Sequence, residues 1–443
     1  MEDFIKNITE QIRCVRAREG IAHELKNHIL DQAEAFEASG ESHNEALQKA
    51  IKEMGDPIAI GTSLDQVHRP QTNWKMIIMV FLFHIIGLAL LYFGGGLSQY
   101  PSFFAKQCFY TLGAFAVIIG IYFLDYSFIG QYARALYVMF TLLCILIAFT
   151  QPQVYGAVPA LSMLVYLYIP LFAGFLYYLR GNGIQGLIKA ALLQIVTALL
   201  TASLGNRLSA SFNIYIICFT MLLLALYKNW FGIKQKKAAS IAVVFALVLL
   251  PALLGVLITF NSSGFRAAHI RAWFHPDQYE GGTGYIYLRI REGLAASKLI
   301  GASDTPVSFQ DGVFMEGAMI LLQLIGVYGI LAGLLVLLAL TAFITRALHI
   351  VQHQKNQLGF MISASCCMVF LVNCLESIFI STGCFPFTKV QLPFLSGGGS
   401  ATLTYAVFIG LLLSIHRNEK ILTDTAIIKR PIRKLRIKLE REN

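Results

Sequence analysis

The stretch LPFLSGGGSATLTYAVFIGLLLSIH, residues 392–416, sets two kinds of chain side by side. Its opening holds Pro393 and the triplet Gly397-Gly398-Gly399, residues that interrupt helices, and Ser400 then stands ready to cap the next helix. From residue 399 to 416 the chain is an apolar run of the length that crosses about 30 Å of hydrocarbon as a helix. Lipid offers backbone groups no water, so such a run is a helix, and irregular backbone at the same depth survives only when buried in protein or lining a wet cavity. The glycines also offer N–H groups to an anion at a helix start, which is a second reading of the triplet.

Working outward, ten apolar runs can be counted, roughly 73–94, 104–124, 131–149, 158–179, 186–204, 208–227, 238–260, 314–345, 358–381 and 399–416. The whole chain has 443 residues, 56% hydrophobic and only 14% charged, with a mean hydropathy of +0.63. That composition excludes a soluble globular domain and predicts an all-α polytopic membrane protein. The first run begins near Asn73, so no N-terminal signal peptide is expected. An even number of spans puts both termini on one side, and basic residues choose the side: Arg134, Arg180, Lys189, Lys228, Lys234, Lys236, Lys237, Arg346 and Lys355 fall with the termini. The termini are therefore expected to be cytoplasmic.

The interval 261–311 is then an extracytoplasmic loop between the seventh and eighth runs. It mixes Arg271, Arg289 and Arg291 with Asp277, Glu280, Glu292 and Asp311, and sets Trp273, Tyr285 and Tyr287 among them. Such a loop is too polar to span lipid and too long for a plain connection, which marks it as a binding or catalytic segment. The eighth run exceeds what the bilayer needs and is expected to tilt, bend or project, with Gly326, Gly329 and Gly333 as a small-residue packing face. Glu316 lies at its outer end, either as a functional acid or as a carboxylate snorkelling to water. The ninth run carries Asn373 and Glu376 near its outer end and leads through Pro386 into the 392–400 loop. The two loops together are expected to wall an outward-facing cleft.

The eight cysteines, Cys14, Cys108, Cys144, Cys218, Cys366, Cys367, Cys374 and Cys384, contain no Cys-x-x-Cys pair and read as core residues. His349 and His353 share helical spacing but lack a third ligand nearby, so no metal site is assigned. Residues 1–70 differ in kind, with 13 Asp+Glu against 8 Lys+Arg. They predict a small helical domain in which Ile21, Leu25 and Ile29 share a face, Gly40 stops one helix, and Ser42 with Glu45 forms a capping box for the next. The order Glu24-Leu25, His28, Gly40-x-Ser42, Glu45-Ala46 and Met54-Gly55-Asp56-Pro57 resembles the HAAS helical prefix domain of bacterial membrane proteins. The tail 417–443 is rich in Lys and Arg and is expected to lie on anionic lipid rather than nucleic acid.

The 392–400 loop, followed by Ile409-Gly410-Leu411-Leu412-Leu413-Ser414-Ile415, resembles the C-terminal motif of the SEDS family, the FtsW/RodA/SpoVE group. The family loop reads LPFISYGGS before a helix ending IGLLLSI, and Gly397 stands where the family has Tyr. Pro386, Gly326, Gly329, Arg271, Pro276, Gly284 and Tyr285 extend the likeness over about residues 266–416. The resemblance implies a membrane domain over 73–416 in the bacterial plasma membrane. It implies an enzyme, a glycosyltransferase that polymerises peptidoglycan strands from lipid II, the lipid-linked precursor, beside a transpeptidase of the penicillin-binding protein kind.

The family's presumed catalytic Asp falls on Met315 in an ungapped alignment, leaving Glu316 and Asp311 as the nearest acids. The family's Gln-x-x-x-Asn pair falls on Asn373 and Ser377, and its RRW and QPSE motifs have no counterpart near 150–190. Substrate contacts would come from Arg271, Arg289, Tyr285, Lys389, Ser396, Gly398, Gly399 and Ser400. The chain carries no cofactor motif, and a divalent cation is left open. The alternative is a relative without transferase activity that binds or translocates the precursor or scaffolds a wall-building complex. A secondary transporter fits less well, because no pair of broken helices repeats.

Overall fold

A computed structural model describes residues 1–93, 101–154, 158–205, 208–249, 265–303, 319–388, 390–419 and 421. It divides into two compact units: Met1–Thr72 with Gln354–Gln357 and the residues from Ile415, and Asn73–His353 with Leu358–Ser414.

The N-terminal part of the first unit is four helices, α1 (Glu2–Glu10), α2 (Val15–Ala38), α3 (His43–Met54) and α4 (Pro57–Val67). Ile5, Ile8, Ile12, Ile21, Leu25 and Ile29 form one buried cluster, the face seen in the periodicity. Gly40 and Gly55 take φ +101 and +90, so both helix stops rest on the left-handed freedom of glycine. The capping box is half made. Glu45 accepts both the Ser42 hydroxyl, at 2.6 Å, and the Ser42 backbone N–H, but Ser42 caps no N–H of α3 in return. Asp56 caps α4 by accepting from Ile58 N and Ala59 N, with Pro57 at the first helical position. Buried Asp65 pins α4 to the α1–α2 turn by accepting from Arg13 N at 2.8 Å and from Arg69. The Arg13 amide and then the Arg69 guanidinium hold its carboxyl below the usual carboxylate range.

In the second unit the apolar runs become α5 (Trp74–Leu91), α6 (Pro101–Phe123), α7 (Ala133–Thr150), α8 (Leu161–Tyr178), α9 (Gly183–Gly205), α10 (Leu208–Tyr227) and α11 (Lys236–Val244). α11 continues as a π-helical stretch over Phe245–Leu249, and the rest of the seventh run lies outside the described residues. Two helices of the long loop come next, α12 (Phe265–Phe274) and α13 (Tyr285–Ala295), and then α14 (Ile320–Tyr328), α15 (Ile330–His353), α16 (Gln357–Ser381) and α17 (Gly399–Arg417). Nine helices among the described residues are long and apolar enough to cross a membrane. The polar residues of the fifth run are absorbed by neighbours: buried Thr197 pairs with Tyr137 Oη at 2.9 Å, and Gln194 Nε2 donates to Tyr215 O at 3.3 Å.

The eighth run bends by breaking. Gly329 sits between α14 and α15 at φ +96, where a Cβ would meet Leu299 O at 2.7 Å and Ile300 Cα at 2.8 Å. Its role is a left-handed joint, in place of the small-residue packing face read from its spacing. The segment 298–303 lies across the break and satisfies both orphaned helix ends. Ile330 N and Leu331 N donate to Lys298 O and Leu299 O, while Gly301 N and Ser303 N donate to Tyr328 O and Gly326 O, all between 2.8 and 3.1 Å.

One end of the bundle is marked by cations lying on aromatic rings. Arg134 covers Tyr178 at 4.3 Å, Arg180 covers Tyr177 at 3.6 Å, and Lys228 covers Phe360 at 3.8 Å. These rings and cations belong to the starts of α7 and α16 and the ends of α8 and α10.

Candidate functional site

Two features stand apart from the apolar bundle: the loop before α17, and a polar knot around Glu376 at the end opposite those cations. The loop is buried in protein. Leu392, Phe394, Leu395 and Ser396 are all below a tenth exposed. Phe394 takes φ +68, an uncommon conformation for a bulky residue, and is fixed there by the rings of Phe83, His84, Phe343, Phe370 and Tyr405, whose centroids lie 5.2–5.9 Å from its own. Ser396 folds back so that its Oγ accepts from Leu392 N at 2.9 Å, closing the turn.

Gln107 of α6 serves the glycine triplet. Its Oε1 accepts from Gly398 N at 2.9 Å and its Nε2 donates to Thr402 Oγ1 at 3.1 Å. A Cβ on Gly399 would strike the Tyr110 ring at 2.6 Å, and one on Gly397 would sit 3.0 Å from Phe103. Phe103 thus occupies the room that a Tyr in place of Gly397 would need. Ser400 is a first-turn residue whose hydroxyl points to Pro159 O at 3.4 Å, and the position before α17 is Gly398, whose carbonyl accepts from Thr402 N. Capping by Ser400, as expected from sequence, does not occur. Of the N–H groups offered to an anion, that of Gly398 is already taken by Gln107. A cavity of about 10 Å³ beneath the loop, lined by His84, Gln107 and Thr111 among others, has room for one water and none for a sugar.

The polar knot joins four segments. Asn213 of α10 donates through Nδ2 to Tyr166 Oη of α8 at 3.0 Å and to Glu376 Oε2 of α16. Thr388, beyond α16, donates to Glu376 Oε1 at 2.7 Å. Asn373 and Ser377, the positions of the family's Gln-x-x-x-Asn pair, are buried on the same helix.

The long loop packs on the segment after α16. Trp273 Nε1 donates to Gly383 O at 2.9 Å and Phe387 N donates to Tyr287 Oη at 3.0 Å, while Ile290 joins Met319, Leu322, Ile380 and Val390 in one apolar cluster. Among the described residues the two loops pack directly on each other through this apolar cluster. Gly284 makes the turn before α13, where a Cβ would lie 2.3 Å from Pro276 O. Arg271 ends α12 in an exposed position, Tyr285 opens α13 at 40% exposure, and Arg289 pairs with Glu292 at 3.0 Å. Ser396, Gly398, Gly399 and Ser400 share one turn. Glu316, Asp311 and Lys389 lie outside the described residues. The residue that sequence reasoning passed over as a site is Glu376, although a carboxylate inside an apolar run was the visible signal.

A family model described as "Cell cycle protein", FTSW_RODA_SPOVE, matches residues 72–421. Peptidoglycan glycosyltransferase MrdB of Escherichia coli (strain K12) is 25% identical over 191 residues, 41% of this chain and 50% of that protein. The probable peptidoglycan glycosyltransferase FtsW of Trichlorobacter lovleyi is 25% identical over 162 residues, 36% of this chain and 42% of its own length. Stage V sporulation protein E of Bacillus subtilis is 27% identical over 92 residues, covering 21% of this chain and 25% of that one. The chain thus matches half or less of the length of these relatives. Among solved structures, a chain of a peptidoglycan synthase complex that coordinates polymerization and crosslinking superposes with a TM-score of 0.62 at 17% identity, covering 79% of this chain and 98% of that one. The rod shape determining protein RodA of Thermus thermophilus superposes with a TM-score of 0.51 at 15% identity, covering 79% and 97%.

Proposed function

The chain belongs to the FtsW/RodA/SpoVE family of cell cycle proteins, and from that premise we propose that it polymerises peptidoglycan glycan strands from lipid II in the bacterial plasma membrane. The observation that carries the reading is the family match over 72–421, which spans the whole bundle and the buried 392–400 loop. Relatives called peptidoglycan glycosyltransferases add support. A transpeptidase is the expected partner, in line with the synthase complex whose chain shares this fold. Such transfer needs a proton acceptor for the attacking hydroxyl and donors for the departing pyrophosphate. Arg271, Arg289, Tyr285, Lys389 and the 396–400 turn are the donors we propose, with Glu316 or Asp311 as outer acids.

Both termini are cytoplasmic in this reading. The gathering of Arg134, Arg180 and Lys228 at one end of the bundle supports it, since basic residues collect on that side. The acidic prefix domain is a separable regulatory or partner-binding unit, and the basic tail rests on anionic lipid.

The test is purified full-length protein with fluorescent lipid II, with and without a candidate transpeptidase and a divalent cation. A ladder of glycan products is expected. One observation favours a second reading, a transferase-inactive relative that binds or moves the precursor: in an ungapped alignment Met315 falls where the family has its presumed acid. Lipid II binding without any ladder, and a ladder gained by Met315→Asp, would decide for it.

A further inference from the structure

Glu376 is the single carboxylate within the described membrane spans. Placing an acid at that depth costs several kcal/mol unless it is paired or put to use. Among the described residues no Lys, Arg or His forms an ion pair with it. Its two contacts are hydrogen bonds, Asn213 to Oε2 and Thr388 to Oε1. A carboxylate offers about four acceptor positions, so on each oxygen one directed lone pair is taken by no described residue. The side chain is only partly buried. A second observation comes from the same helix. Ser377 Oγ and Ser381 Oγ, four residues apart and each 1% exposed or less, have no hydrogen-bond partner among the described residues, while Asn373, one turn before them, reaches the Tyr405 hydroxyl. A carboxylate held by two donors, beside two unsatisfied hydroxyl groups, is chemistry suited to a polyhydroxyl ligand.

We propose that Glu376 is the carboxylate that accepts the proton of the attacking sugar hydroxyl. The inference rests on the polymerase reading. In the step, the acceptor hydroxyl oxygen forms a bond to the anomeric carbon of the lipid-linked donor as the bond from that carbon to the pyrophosphate oxygen breaks. The electron pair leaves with the polyprenyl pyrophosphate, and the hydroxyl proton moves to Glu376, which later returns it to water. Asn213 and Thr388 are positioning residues that fix the carboxylate plane, with Tyr166 holding Asn213 in turn. In this assignment the proton goes to Glu376 on α16 in place of the outer acids Glu316 and Asp311.

The experiment compares wild type, Glu376→Gln and Glu376→Asp as full-length protein on fluorescent lipid II, with melting temperature measured alongside. Loss of a proton acceptor predicts a fall in turnover of about 100-fold or more for Glu376→Gln at near-constant KM, and partial activity for Glu376→Asp. Should Glu376→Gln fail to fold, wild type is treated with dicyclohexylcarbodiimide, a lipid-soluble carboxyl reagent. A single adduct at Glu376 that stops polymerisation, and whose formation lipid II slows, supports the proposal. Polymerisation that survives stoichiometric labelling, or a fully active Glu376→Gln, overturns it while leaving the polymerase reading intact. A wild type that makes no polymer sinks that reading, and this inference with it.

Discussion

Two interruptions of helix at membrane depth, the joint at Gly329 and the loop before α17, meet the same difficulty in opposite ways. At Gly329 both freed helix ends are satisfied by the main chain of 298–303, and side chains take little part. Before α17 the freed groups are satisfied by side chains: Gln107 on Gly398 N, Ser396 on Leu392 N, and Gln391 Nε2 on Gly397 O at 3.2 Å. Backbone-to-backbone satisfaction tolerates almost any sequence except at the joint itself. Side-chain satisfaction spreads its demands over named residues, some far away in the chain.

Mutation should separate the two cases. The largest effect is expected at the joint. Gly329→Ala forces a Cβ into a left-handed residue and against Leu299 O, for about 2–5 kcal/mol from backbone strain and overpacking. It should appear as a steep fall in melting temperature in detergent. Next comes Gln107→Leu, which leaves the part-buried Gly398 N–H without an acceptor and costs about 1–3 kcal/mol by the same measurement. Ser396→Ala removes the acceptor for Leu392 N and should cost about 1 kcal/mol. The smallest change is Ile300→Ala in the strap over the joint, within about 0.5 kcal/mol of wild type, because that side chain is 71% exposed and its contribution is main chain. A large loss for Ile300→Ala, or a silent Gln107→Leu, would collapse the distinction.

The same contrast explains what could be read from the sequence. The apolar runs were legible because lipid enforces internal hydrogen bonding on every span. A bend in 314–345 was among the outcomes its length suggested, but the break at Gly329 was not legible, since Ile325-Gly326-Val327-Tyr328-Gly329-Ile330 is as apolar as a continuous helix and the partner is main chain. Composition shows that glycine is small and is silent on its φ. The irregularity of 392–400 was plain from Pro393 and the triplet, yet Gln107 lay in a run that read as merely apolar. Glu376 was visible as an acid in a span, but its partner Asn213 lies 163 residues away, and pairing at that range leaves no local pattern. Gly397 looked like a departure from the family motif until Phe103 was found in the space beside it.

The strap at 298–303 also bears on how the protein is made. It leaves the ribosome before α14 and α15 do, so the joint can close as soon as its own residues emerge, with every partner already at hand. The turn before α17 has no such independence: Gly398 waits for Gln107, laid down 291 residues earlier, to be brought alongside. Insertion of the eighth span is therefore a local event, whereas seating of the loop reports that the second and last spans have met. A full-length chain misassembled between them would leave the Gly398 N–H of that turn without its acceptor.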